Sequence, residues 1–216
     1  PIIPFVVYGL KDFKKRKYYL VIFVLSIIAL LFSFSEGALV ALAAAFLVGI
    51  FLLGYRKFTV FLVLLGLVAA ILSEPVSQSL LFQNKSGQNR LVLWGYTWDY
   101  LKKNKTNFIF GAGISQFFKQ IQKPVNDFKK IEPLIYPHNI FLNFWSEVGL
   151  FGMIFFMAIY AVAINISWKI LRKEKYFGLA LLSVLIIFLV HGLVDVPYFK
   201  NDLSFTWWIL LAISAI

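Results

Sequence analysis

The sequence predicts an all-α, polytopic transmembrane helical bundle with a long extracytoplasmic helical loop, and three observations lead there. Apolar residues make up 61% of the 216 and charged residues only 14%, with a mean hydropathy of +0.82, far from the balance of an ordinary soluble domain. Apolar windows near the roughly 20 residues needed to cross a bilayer core recur along the chain, separated by short charged breaks. These windows are too long and too uniformly apolar for barrel strands, so helices, which satisfy their own backbone hydrogen bonds, are expected.

The expected spans, in order, are 1–10 (the tail of one helix), 18–34, 38–54, 58–73, 140–167, 177–194 and 203–216. They divide the chain into membrane helices at 1–73, an extracytoplasmic loop with amphipathic helices at 74–139, and membrane helices at 140–216. The chain opens without methionine or a cleavable signal, and its last apolar run has only 14 residues, so the expectation is the C-terminal half of a longer protein.

Charge sets the expected orientation. The breaks KDFKKRK (11–17), YRK (55–57) and WKILRKEK (168–175) hold eleven of the twenty-one Lys and Arg residues, whereas SFSEG (33–37) and DVPYFKND (195–202) hold only Lys200. The positive-inside rule makes the first set cytoplasmic and the second external. The long connection then lies outside; it carries nine Lys or Arg against four acids, which long loops tolerate and which suits an anionic partner. Absence of cysteine fits an exported face without requiring one.

A connection of this length, rich in aromatics, is expected to be functional rather than disordered. In QNRLVLWGYTWDYLKKN, Leu91, Trp94, Trp98 and Leu101 recur at spacings of three and four, giving one apolar face suited to the headgroup layer. Arg90 sits in the first turn, where a cation gains nothing from the helix dipole but, together with the helix N-terminus, suits a phosphate. Its other reading is an anchor to lipid headgroups. Gly111 and Gly113 in TNFIFGAGISQFF allow a tight turn or an anion-binding nest, while FKQIQKPVNDFKKIEP, with four lysines around Pro124, is expected to be a solvated connection.

After Pro133 and Pro137 comes HNIFLNFWSEVGLFG. Asn139, Asn143 and Glu147 are spaced i, i+4, i+8, which on one helix makes a polar stripe descending roughly 12 Å from the outer mouth, with His138 at its top. Ionisable groups in membrane helices tend to face a cavity and to have a function, although Asn139 could instead cap the helix and Glu147 pair with a lysine. Glu36 stands at the outward turn SFSEGAL, and HGLVDVPYF places His191 and Asp195 i, i+4 near the same face. Both histidines are thus expected near the outer surface, where they can exchange protons near neutral pH.

Together these residues resemble the integral membrane O-antigen ligases and the related O-antigen polymerases and O-linked oligosaccharyltransferases. The resemblance covers most of the chain and rests on the S-x-G turn (35–37), NRLVLW (89–94), GAGISQF (111–117), HN-x-x-L-x-x-x-x-E-x-G-x-x-G (138–152) and H-x-x-x-D-x-P (191–197). It implies metal-independent, inverting transfer of a glycan from an undecaprenyl diphosphate carrier to an acceptor hydroxyl, at the outer, periplasmic side of the cytoplasmic (inner) membrane. Carried across, Arg90 would hold the carrier's diphosphate and His138 would act on the acceptor hydroxyl or the leaving group, with Glu147 as a third catalytic candidate. Asn139, Asn143, Glu36, Trp94, His191 and Asp195 become substrate-binding candidates beside Arg90. One departure stands out: the family turn commonly reads S-R-G, and Glu36 replaces that arginine.

The chemistry agrees with the resemblance, because breaking a sugar to diphosphate bond calls for placed cations and a base in a partly dry site. The sequence holds no D-x-D, no HExxH and no cysteine cluster, so no metal and no cofactor are expected. Expected partners are the undecaprenyl diphosphate-linked glycan, a glycan or lipid acceptor and membrane lipids, not nucleic acid. Within the same family, polymerase is the alternative to ligase. From other classes, a lipid-linked glycan transporter or flippase would show polar residues reaching both membrane faces, and a scaffold would only bind anionic lipid.

Overall fold

The computed structural model describes residues 1–121, 135–197 and 201–215, and every regular element among them is helical. In order these are α1 (Ile2–Gly9), α2 (Arg16–Phe32), α3 (Glu36–Leu52), α4 (Arg56–Leu72), α5 (Glu74–Leu80), α6 (Lys85–Lys102), α7 (Lys105–Phe110), a π-helical turn (Phe117–Ile121), α8 (Ile140–Lys173), α9 (Lys175–Gly192) and α10 (Asn201–Ala215). α8 and α9 are long and apolar enough to cross a membrane, and α3 is a shorter apolar helix. The solvated connection expected around Pro124 lies mostly outside the described residues.

Two compact units make up the chain. The first comprises Pro1–Leu67, Ala161–His191 and the described residues of 198–216. Its helices meet through small residues and rings. Ala41 and Ala45, near the start of α3, pack on Ile187 near the end of α9, so Glu36 and His191 lie at one shared end of that pair. Phe5 and Tyr8 of α1 pack tilted against Phe177 at the start of α9, with centroids 6.3 and 5.3 Å apart, while Phe188 of α9 meets Trp207 of α10 edge to face at 5.6 Å. α2 buries no residue and turns Val21, Leu25 and Phe32 outward, which carries no penalty where the surroundings are lipid. Ser35 starts α3 by accepting the Ala38 N–H at 3.3 Å, and Glu36 in the first turn complements the helix dipole.

The second unit comprises Val68–Tyr160 and Gly192–Pro197. Asn84 and Asn104 start α6 and α7, each side-chain oxygen accepting a backbone N–H at 2.7 Å. The buried seam of α6 is Gly87, Leu93, Thr97 and Leu101, because Leu93 packs on Phe117 and Ile121 of the π-helical turn. Leu91 and Trp98, expected on the apolar face, are therefore exposed, and only Leu101 serves both patterns.

α8 is not one continuous helix. Gly149 has φ 86° and ψ 175°, which separates a short segment, 140–148, from a longer one, 150–173. The longer segment of 24 residues is about 36 Å long at 1.5 Å per residue, enough for a bilayer core by itself. The expected polar stripe changes accordingly: Asn139 precedes the helix, Asn143 and Glu147 lie on the short segment, and the chain breaks two residues beyond Glu147.

Candidate active site

The site is assembled around the backbone of residues 193–195, just after α9. Arg90, in the second turn of α6, donates through Nε to the Val194 carbonyl at 2.8 Å. Asn139 donates through Nδ2 to the Leu193 carbonyl at 3.0 Å, and His138 Nδ1 lies 3.1 Å from Asp195 Oδ1. Three side chains distant in sequence thus hold three consecutive residues. One turn along from Arg90, Trp94 donates its indole N–H to the Pro137 carbonyl at 2.9 Å, fixing the approach to His138.

Local geometry explains these positions. Asn139 caps α8, its Oδ1 accepting the N–H groups of Phe141 and Leu142, both at 3.1 Å. His138 takes a left-handed conformation, φ 52°, uncommon for a residue with a β-carbon, and the Tyr136 ring packs on its imidazole at 4.8 Å. Asp195 Oδ1 also accepts the Val196 N–H at 2.8 Å. A carboxylate accepting Nδ1–H selects the imidazole tautomer whose lone pair is on Nε2, so the pair can present a base with its orientation fixed. Arg90 spends one N–H on Val194, and its two terminal amino groups have no partner among the described residues.

A second polar layer lies along the short segment of α8. Glu147 is buried and accepts the backbone N–H of Ser115. Asn143 is fully buried, with neither amide atom partnered among the described residues. An unpaired buried amide costs about 1–3 kcal/mol, so packing alone gives no reason for it. The GAGIS loop reaches this layer because Gly111 lies against the backbone of 145–146 and Gly149 against that of 109–110: a β-carbon on Gly111 would stand 2.5 Å from the Ser146 carbonyl oxygen, and one on Gly149 2.5 Å from that of Ile109. The Ala112 N–H then donates to Ser146 O at 2.6 Å.

Of the residues expected from sequence, Arg90, Trp94, His138, Asn139 and Asp195 are brought together. Asn143 and Glu147 follow within two turns on the same segment, and Glu36 and His191 belong to the first unit. Asp195, expected to bind substrate, is the partner of His138, and the polar atoms of Asn139 serve the cap and Leu193. Two contributors were not singled out from the sequence. Trp145 donates its indole N–H to Phe108 O at 2.7 Å and packs edge on against Trp98 and Phe108, while Ser115 reaches Glu147 through its backbone.

Residues 21–157 match the family described as O-Antigen ligase. The chain belongs to the O-antigen ligase family. The matched stretch contains Arg90, Trp94, His138, Asn139, Asn143 and Glu147, whereas Asp195 lies beyond it and is tied to the family's region by the contact to His138. The chain is also 25% identical over 212 residues to a Rickettsia typhi protein named "Putative polysaccharide ligase". That alignment covers 91% of this chain and 48% of the relative, so the chain spans about half the relative's length. No solved structure matches the O-antigen ligase chain described here.

Proposed function

We propose that this chain carries the reacting groups of a membrane enzyme that transfers a glycan from an undecaprenyl diphosphate carrier to an acceptor hydroxyl, as an O-antigen ligase. The observation that carries this reading is the convergence of Arg90 and the His138–Asp195 pair on residues 194 and 195. A cation with free N–H groups beside a carboxylate-paired imidazole supports this reading, because displacement of a diphosphate requires a cation for the leaving group and a base for the acceptor.

In the proposed step the acceptor oxygen attacks the anomeric carbon of the donor sugar. The bond from that carbon to the phosphate oxygen breaks, its electron pair leaving on the diphosphate, and the acceptor proton passes to His138 Nε2. The terminal amino groups of Arg90 hold the charge that develops on the leaving diphosphate, and Asp195 stabilises the imidazolium. Attack opposite the leaving group inverts the anomeric centre without a metal. Asn143 and Glu147 line the acceptor side and meet sugar hydroxyls.

The enzyme is multi-pass in the cytoplasmic membrane, with this site on the periplasmic side. Three basic turns at 11–17, 55–57 and 168–175 support that orientation, and the segment break at Gly149 supports a site lying above the spanning part of α8. The test is reconstitution of the full-length protein in vesicles with a lipid-linked glycan and a panel of acceptors, following which acceptor gains mass. Loss of transfer in both Arg90→Ala and His138→Ala, at normal protein levels, is the expected result. Full activity in either variant rejects the assignment, and gain of mass by a second lipid-linked glycan identifies a polymerase.

A further inference from the structure

We propose that the first unit carries a binding site for one anionic phospholipid, in a groove formed by α1, α3 and α9. The groove has a volume of about 230 Å³ and apolar walls supplied by Ile3 and Val7 of α1, Leu42 and Phe46 of α3, and Leu179 and Ala180 of α9. Gly49 of α3 also lines it. Although buried, Gly49 faces open space, since a β-carbon built there would meet nothing within 4 Å. The groove is therefore not filled by the side chains around it.

Its mouth is polar and cationic. Lys11 and Tyr176 stand there, the Lys11 ammonium 3.2 Å from the centroid of the Tyr176 ring. Lys11 opens the run 11–17, which has five cations and one acid, Asp12, whose carboxylate accepts the Lys14 N–H. The ring contact of Tyr8 with Phe177 brings the start of α9 beside the end of α1, so Arg172, Lys173 and Lys175 join the same end. Glu174, the one acid within 172–175, accepts the hydroxyl hydrogen bond of Tyr8.

An apolar slot opening beneath a cluster of cations matches an acyl chain attached to a phosphate, each part of the ligand meeting its own chemistry. Soluble phosphate would use the cations and leave the slot, whereas a neutral lipid would use the slot and leave the cations. By the positive-inside rule this is the cytoplasmic leaflet, where anionic headgroups attract such clusters by about 1 kcal/mol per cation.

The test uses delipidated full-length protein in detergent, native mass spectrometry, and phosphatidylglycerol or phosphatidylcholine of identical chains. One phosphatidylglycerol should be retained at concentrations where phosphatidylcholine is lost. Lys11→Glu should weaken retention about tenfold, and Gly49→Leu, which fills the slot, should abolish it without lowering the melting temperature of the lipid-free protein. Equal retention of the two lipids overturns the proposal, as does retention untouched by both variants. A lower melting temperature in Gly49→Leu with unchanged lipid retention also overturns it, because the groove would then hold protein from outside residues 1–216. Should Gly49→Leu fail to fold, the headgroup comparison and Lys11→Glu decide.

Discussion

Each of the two units is held together internally by its own means. In the first, helices meet through close-packed apolar contacts, Ala41 and Ala45 on Ile187 and Phe188 on Trp207. In the second, side chains reach across to bare backbone carbonyls: Arg90 to Val194, Trp94 to Pro137, Asn139 to Leu193 and Trp145 to Phe108. The reason is the backbone itself. Helices satisfy their own N–H and C=O groups, so only shape remains to be matched between them. Residues 135–139 and 193–197 are irregular and leave carbonyls that other groups must satisfy. The side chains that do so include the candidate reacting residues, and substitutions should therefore act differently in the two units.

The largest expected effect is on Asp195. Asp195→Asn would keep the shape of the pair but favour the wrong imidazole tautomer, so glycan transfer should fall about 10²–10⁴-fold. On the proposed role of Arg90, binding of a lipid-linked donor should be retained; single-turnover transfer in vesicles and donor binding measured side by side check both. An unchanged transfer rate would break the link between the 193–195 segment and chemistry.

Next comes the backbone crossing in the second unit. Gly111→Ala imposes a β-carbon at φ 69° and against the Ser146 carbonyl, and should destabilise by about 2–4 kcal/mol in detergent unfolding. Asn139→Ala removes the α8 cap and the bond to Leu193, and should cost about 1–2 kcal/mol by the same measurement. Asn139→Asp keeps the cap acceptor and should lose less.

The first unit should respond to volume instead. Ile187→Val, at the contact of α9 with α3, should cost about 0.5–1.5 kcal/mol. Gly49→Ala meets open space on a helix and should be neutral or stabilise by up to about 1 kcal/mol, opposite in sign to the same change at Gly111. Equal losses at Gly49 and Gly111 would erase the distinction between the units.

Much of this was legible in the sequence, for stated physical reasons. Hydropathy located the helices, since 18–34, 38–54 and 58–73 correspond to α2, α3 and α4 within a few residues. A cation expected in the first turn of a loop helix singled out Arg90, which is in the second turn, and polar residues at the mouths of apolar helices singled out His138, Asn139 and Asp195; the four are grouped around one backbone segment. The break at Gly149 was not legible, because a glycine in an apolar run resembles a helix-packing residue until the Ile109 carbonyl is found against it. The seam of α6 was misread by its periodicity. Leu91, Trp94 and Trp98 do form a stripe, but Phe117 and Ile121 select Leu93, leaving Leu91 exposed and Trp98 half-covered by Trp145. Asp195 was legible as polar and near the surface, yet its partner 57 residues earlier was not.

The hook at 192–197 belongs to the second unit although the helices on either side of it in sequence, α9 and α10, belong to the first. During synthesis, Arg90 and His138 leave the ribosome long before this hook exists. A nascent chain halted after α8 has its cation and imidazole but no grip for either. Only when α9 and the residues that follow it have been made can Val194 and Asp195 engage them, so the candidate site awaits synthesis of a later helix.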